Sequence, residues 1–158
     1  MELVQGDKVL EWLIDGTGAT VDTTAQAIGL IDDSGKLVAA SAYSGYNGQS
    51  VVVHQRIVGR VNRAYWHAVF EYPFIDLDAK CLIGLVHSDN TEALRLNDHL
   101  GFKREALLKG VAPDGNDMII FTMWKDDCRM LKWGRNGQKR ENASGTELCE
   151  TGRTAITI

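Results

Sequence analysis

The stretch from Ser50 to Val86 constrains this chain more than any other. Ser50-Val51-Val52-Val53-His54 is rich in β-branched residues and reads as a strand. Val61, Ala64, Tyr65, Ala68, Val69 and Tyr72 then follow at i, i+3, i+4, i+7, i+8 and i+11, one apolar stripe of an amphipathic helix. Pro73 is expected to end that helix, because the residue before a proline is pushed out of helical dihedrals. Cys81-Leu82-Ile83-Gly84-Leu85-Val86 is apolar throughout, as a strand covered on both faces would be. Strand, helix and strand make a βαβ unit, so the two strands are expected to run parallel through a right-handed crossover.

The flanking segments are read against that unit. Val9, Leu10, Leu13 and Ile14 cluster at helical spacing from Asp7, and Gly16 is expected to stop the helix. Ala25 to Ile31 and Leu37 to Tyr43 read as strands around the turn Asp32-Asp33-Ser34-Gly35, and Asn47-Gly48 reads as a hairpin turn before Ser50. These three strands should form an antiparallel meander. After the βαβ unit, Ser88-Asp89-Asn90 opens a helix with Asp89 and Glu92 spaced like a capping box, and Gly101 closes it. Phe102 to Lys109 and Asp117 to Trp124 are two more strands around Pro113-Asp114-Gly115. A chain of 158 residues suits one core. The expected domain is 1-133, followed by a polar tail or docking arm at 134-158 in which only Thr154-Ala155-Ile156-Thr157-Ile158 alternates like a strand.

Composition excludes several function classes. At 44% hydrophobic and 24% charged the chain is ordinarily globular, and no apolar run reaches the roughly 18 residues of a membrane span. Met1-Glu2-Leu3-Val4-Gln5 lacks the features of a secretory leader, so a cytoplasmic location is expected. A net charge of −4 argues against general nucleic-acid binding, although Lys132, Arg135, Lys139 and Arg140 form a local basic cluster. Cys81, Cys128 and Cys149 are odd in number and hold no metal-ligand spacing, so neither a disulfide nor a metal is expected.

Two segments resemble the GNAT superfamily of N-acetyltransferases. Arg56-Ile57-Val58-Gly59-Arg60-Val61, between a strand and an amphipathic helix, resembles its pyrophosphate loop. Asn90-Thr91-Glu92-Ala93, running through a helix to Leu100-Gly101-Phe102, resembles its second motif. The resemblance covers roughly Ile28 to Trp133. Asp117 through Trp124 looks like the closing strand of ribosomal-protein and polyamine acetyltransferases, and Glu71-Tyr72-Pro73-Phe74 adds a likeness to GNAT-like proteins of bacteriophages. It implies an α/β fold (α+β), a mixed and mostly antiparallel sheet with flanking helices and a splayed central parallel pair. Acetyl-CoA would be the co-substrate, and no metal is implied. The physics agrees, since a helix N-terminus and a Gly turn offer N–H donors and a positive field to a pyrophosphate.

By that resemblance Arg56, Ile57, Val58, Gly59, Arg60 and Val61 would hold the phosphates. Val53, Asn90 and Ala93 would meet the pantetheine arm in the gap between the strands ending near His54 and His87. A backbone N–H between Val52 and His54 would hold the oxyanion. His54 and His87 are candidate bases, because His titrates near neutrality. Asn97 stands where the family commonly has a Tyr that protonates the departing thiolate, and an amide cannot act as that acid. Val61 stands where the family prefers Gly or Ala. His67 and His99 read as helix-surface residues. The implied reaction is direct attack of an amine, on a protein, peptide or small molecule, upon the acetyl thioester. The alternative is a GNAT-like protein with impaired catalysis that serves as a structural or binding component, virion-associated or host-directed. The tail is a candidate contact for a second copy or a virion partner.

Overall fold

The computed structural model describes residues 1–135. The βαβ unit is its centre: β4 (Ser50–Ile57) and β5 (Cys81–His87) run parallel and are joined through α2 (Arg63–Glu71). β2 (Gln26–Ile31) and β3 (Leu37–Ser44) complete the antiparallel meander with β4. β1 (Glu2–Gln5), which the sequence pattern does not announce, adds an antiparallel edge to β2. The remaining elements are α1 (Asp7–Thr17), α3 (Thr91–Leu100), β6 (Lys103–Leu108), β7 (Met118–Trp124) and α4 (Arg129–Arg135). The sheet order is β1-β2-β3-β4-β5-β7-β6, so β7 inserts between β5 and β6 and the β4–β5 pair is the parallel one. No described helix is long and apolar enough to cross a membrane. The tail expected at 134-158 lies almost wholly outside the described residues.

The period-2 alternation of β4 sorts its side chains onto two faces. Val51, Val53 and Gln55 are buried on one, with Leu82, Val86 and Phe121, beneath Tyr65, Val69 and Phe70 of α2 and Leu100 of α3. Val52, His54 and Arg56 point to the other face. There α1 seals β2 and β3 by packing Val9 and Leu13 on Ala27, Ala40 and Ala42. Where that face continues over β5 and β7, Ile83, Leu85 and Ile120 are only half-buried and Trp124 is exposed.

Four helix ends differ from expectation. α1 runs through Gly16 to Thr17 and stops at Gly18, whose φ of 67° makes the left-handed cap. Gly16 serves the packing instead: a Cβ there would overlap the Arg56 guanidinium. α2 starts at Arg63 and not at Val61, because Asn62 is its N-cap and accepts from the Tyr65 N–H at 2.9 Å. Pro73 does not end the helical path, which widens into a π-type turn over Tyr72–Asp76. Proline leaves the carbonyl four residues back without its helical donor, and here that carbonyl, Val69 O, accepts the Tyr43 hydroxyl at 2.5 Å. In α3 the cap is Asn90, accepting from the Ala93 N–H at 3.1 Å, and not the Asp89–Glu92 box. Gly101 closes α3 with φ 99°, as the sequence requires.

Candidate functional site

β4 and β5 part after three paired positions. Ser50, Val51 and Val52 face Cys81, Leu82 and Ile83, and the pairing then stops. β4 nevertheless runs on to Ile57 along β3, and β5 runs on to His87 along β7. Each strand therefore turns one row of main-chain donors and acceptors toward the opening, where an extended chain could bond in place of a strand. At the apex, on the α2 side, lies a small cavity lined by Val53, Gln55, Val69, Phe70, Leu82, Leu100 and Phe102.

The loop at the wide end of the opening joins β4 to α2. It is docked on β3, with Val58 N–H donating to Val38 O at 2.8 Å. A Cβ on Gly59 would lie only 3.0 Å from Val38 Cβ, a tight contact that favours glycine at this approach. The first turn of α2 presents N–H groups without intrahelical partners, of which Asn62 takes that of Tyr65. Arg60 and Arg63 are exposed cations on the loop and the first helical position. Arg63 was not singled out by sequence, since the matched pattern ends at residue 61.

Arg56 is placed differently from the sequence expectation. Its side chain points away from α2, stacks over the Trp12 ring at 3.9 Å and donates to Trp12 O. Strand alternation dictates this, because β4 extends three residues past His54. The guanidinium thus ties α1 to the sheet, and Arg56 itself belongs to β4 and not to the loop. Ile57 and Val61 are half-buried and pack on the main core.

His54 and His87 share the face opposite α2. Continuing the register from Val52 and Ile83 sets His54 across from Leu85, and His87 across from Arg56. His54 is therefore two residues from the apex, and His87 four. His54 Nε2 lies 3.1 Å from Ser44 Oγ, and His87 Nδ1 lies 3.9 Å from Asp114 Oδ2.

Asn90, Ala93 and Asn97 form one hydrogen-bonded set in α3. The Ala93 N–H is held by Asn90, and the Ala93 carbonyl accepts from Asn97 Nδ2 at 2.8 Å. That bond fixes the amide's orientation, since an oxygen there would face a carbonyl. Asn97 is fully buried, and its Oδ1 has no partner. One of the two Nδ2 hydrogens of Asn97 is thus already engaged by the Ala93 carbonyl.

Gln55 is the residue that sequence reading passed over. It is 2% exposed, donates through Nε2 to Ser41 Oγ at 2.9 Å, and leaves Oε1 without a partner. Ser41 Oγ in turn lies 2.9 Å from the Tyr65 hydroxyl. Burial pushes the Tyr65 phenol upward against bonds from Ser41 and Gln55, so Tyr65 stays a neutral hydroxyl. Among the described residues no group of three or more His, Cys, Asp or Glu side chains could hold a metal ion.

No protein-family model matches the chain, and no curated protein matches it in sequence. Solved structures do match. Mutant forms of the spermidine/spermine N-acetyltransferase SpeG from Vibrio cholerae superpose with a TM-score of 0.65 at 13% identity, covering 79% of this chain and 95% of theirs. The dodecameric spermidine N-acetyltransferase of Vibrio cholerae gives 0.64 at 14% identity, over 79% of this chain and 94% of that one. A GNAT-family acetyltransferase from Bacillus anthracis gives 0.50 at 19% identity, over 65% and 66%. With its mixed seven-stranded sheet and its parallel β4–β5 pair, this chain thus has the fold of the GNAT acetyltransferases.

Proposed function

We propose that the chain is an N-acetyltransferase that moves an acetyl group from acetyl-CoA to an amine. The observation that carries this reading is the opening between β4 and β5, where pairing stops after Val52 and Ile83 while both strands continue. Solved structures that superpose on this fold are named as acetyltransferases, and the opening suits a slender amide-bearing arm that bonds to strand edges.

The roles follow from placement. The loop Val58-Gly59-Arg60 and the first turn of α2 hold the pyrophosphate, with Arg60 and Arg63 adding charge. The arm runs from there toward the apex. The amine attacks the thioester carbon from the α1 side of the sheet, a backbone N–H near Val53 holds the oxyanion, and the carbon–sulfur bond breaks as the carbon–nitrogen bond forms. His54 takes the amine proton, because it is nearer the apex than His87. Water protonates the thiolate, whose parent thiol has an ordinary pKa of about 8.5 and is already a good leaving group. The acceptor is an amine on a small molecule, peptide or protein.

Calorimetric titration with acetyl-CoA, followed by thiol release with a panel of amines, tests the reading. One-to-one saturation and amine-dependent release are expected. His54→Ala should lower kcat by roughly 100-fold or more, the scale of general-base catalysis, with acetyl-CoA affinity unchanged. Absence of any heat with acetyl-CoA would overturn the assignment.

A further inference from the structure

We propose that Gln55 recognises the arm of the acyl carrier, its Oε1 accepting an N–H of that arm at the apex of the opening. The inference rests on the reading of the opening as a coenzyme A cleft. It begins from an oddity of composition. Val51 and Val53 fill the same face of β4, and a further valine at position 55 would continue that core without a polar atom. A buried acceptor left unmade costs about 1–3 kcal/mol. Gln55 nevertheless stands there, only 2% exposed, with Oε1 unpartnered.

Its orientation is set by its neighbours. The two-donor end of the amide faces the hydroxyl oxygens of Ser41 and Tyr65, which places the carbonyl end away from them. Gln55 lines the apical cavity, where the other six side chains are apolar. A resident water needs roughly 2–4 polar partners, and Gln55 is the one polar side chain there. The arm of coenzyme A is a thin apolar chain carrying amide N–H groups, and one such group at the mouth of this space would give Oε1 the donor it lacks. Asn97 Oδ1 is a second buried acceptor without a partner, and Leu100, one turn further along α3, lines the same cavity.

The test separates arm from nucleotide. Wild type, Gln55→Met and Ser41→Ala are titrated with coenzyme A and with adenosine bisphosphate, which has the nucleotide but no arm. Gln55→Met keeps length and apolar packing while removing the acceptor. It should bind coenzyme A about tenfold more weakly, the scale of one lost buried hydrogen bond. Its affinity for adenosine bisphosphate should be unchanged, which also shows the fold intact. Ser41→Ala disturbs the same polar chain but spares Oε1, and should bind coenzyme A within about twofold of wild type. Unchanged coenzyme A binding by Gln55→Met, equal losses for both ligands, or an equal loss in Ser41→Ala would overturn the inference while leaving the cleft standing. Wild type that binds neither ligand would overturn the cleft and the inference together.

Discussion

Tyr43→Phe isolates the bond that lets the chain pass Pro73 without losing α2. Tyr43 is 2% exposed, its hydroxyl donates to Val69 O at 2.5 Å, and its ring lies 5.1 Å from that of Tyr72. Phenylalanine keeps the ring and removes the donor alone. Burial pushes the Tyr43 phenol well above its ordinary range, so the wild-type group remains a donor at any working pH. The loss combines a net hydrogen bond of about 1 kcal/mol with a carbonyl left buried and unpaired, which together come to roughly 2 kcal/mol. In a domain of this size that lowers Tm by roughly 5 °C. Pro73→Ala supplies the chain N–H that Val69 O lacks. In the double variant the Tyr43→Phe penalty should shrink by about 1 kcal/mol, a coupling large enough to measure. Urea unfolding followed by circular dichroism reads all four proteins, with an unchanged m-value as the sign that only stability moved. A Tyr43→Phe loss below about 0.5 kcal/mol, or strictly additive variants, would refute the argument.

Asn62→Ala removes the α2 cap and should cost about 1 kcal/mol, and since the cap also sets the loop beside it, calorimetry should show coenzyme A bound several-fold more weakly. Gly16→Ala raises intrinsic helix propensity by about 1 kcal/mol, yet it should destabilise, because the new Cβ takes the space of the Arg56 guanidinium and its Trp12 contacts. In an Arg56→Ala background the same substitution should stabilise, and thermal melts of the two pairs show the sign. Asp78 is lowered to about 2 by hydrogen bonds from Lys80 and then Lys125. Its folded pKa lies below the ordinary value, so its stability is present above about pH 4 and is lost as pH falls toward 2. Asp78→Asn tolerates the same left-handed backbone, φ 53°, and should flatten the acid limb of stability against pH; an unchanged limb would count against the pair.

What was legible in the sequence was whatever has a strong period. The apolar run from Cys81 and the stripe from Val61 to Tyr72 gave the βαβ unit, and with it the parallel pair that the structure shows. β1 was not legible because a four-residue exposed edge carries almost no pattern. Gly16 reads as a stop, and only the distant Arg56 explains why it sits inside a helix. Pro73 reads as a break, and only Tyr43, on another strand, supplies what the proline removed. The site divides the same way. Gly59 is singled out by its loop motif and the histidines by their strand ends, whereas the Arg56 side chain needed the true length of β4 to show its face. Gln55 was invisible because its meaning lies in an unmade bond, which no local spacing encodes.

The strand order carries a consequence for how the chain is made. β1 to β4 lie side by side in chain order, β1 joined to β2 through α1 and the others by short turns, so they can assemble as they emerge during synthesis. β5 cannot be completed in this way, because its second neighbour is β7, with β6 synthesised first and placed outside it. Until Met118–Trp124 leaves the ribosome, one wall of the opening is a strand with a bare edge. A nascent chain paused before that point holds Gly59 and both histidines, yet has no finished opening between β4 and β5. The opening is therefore completed late and all at once, when β7 pairs with β5.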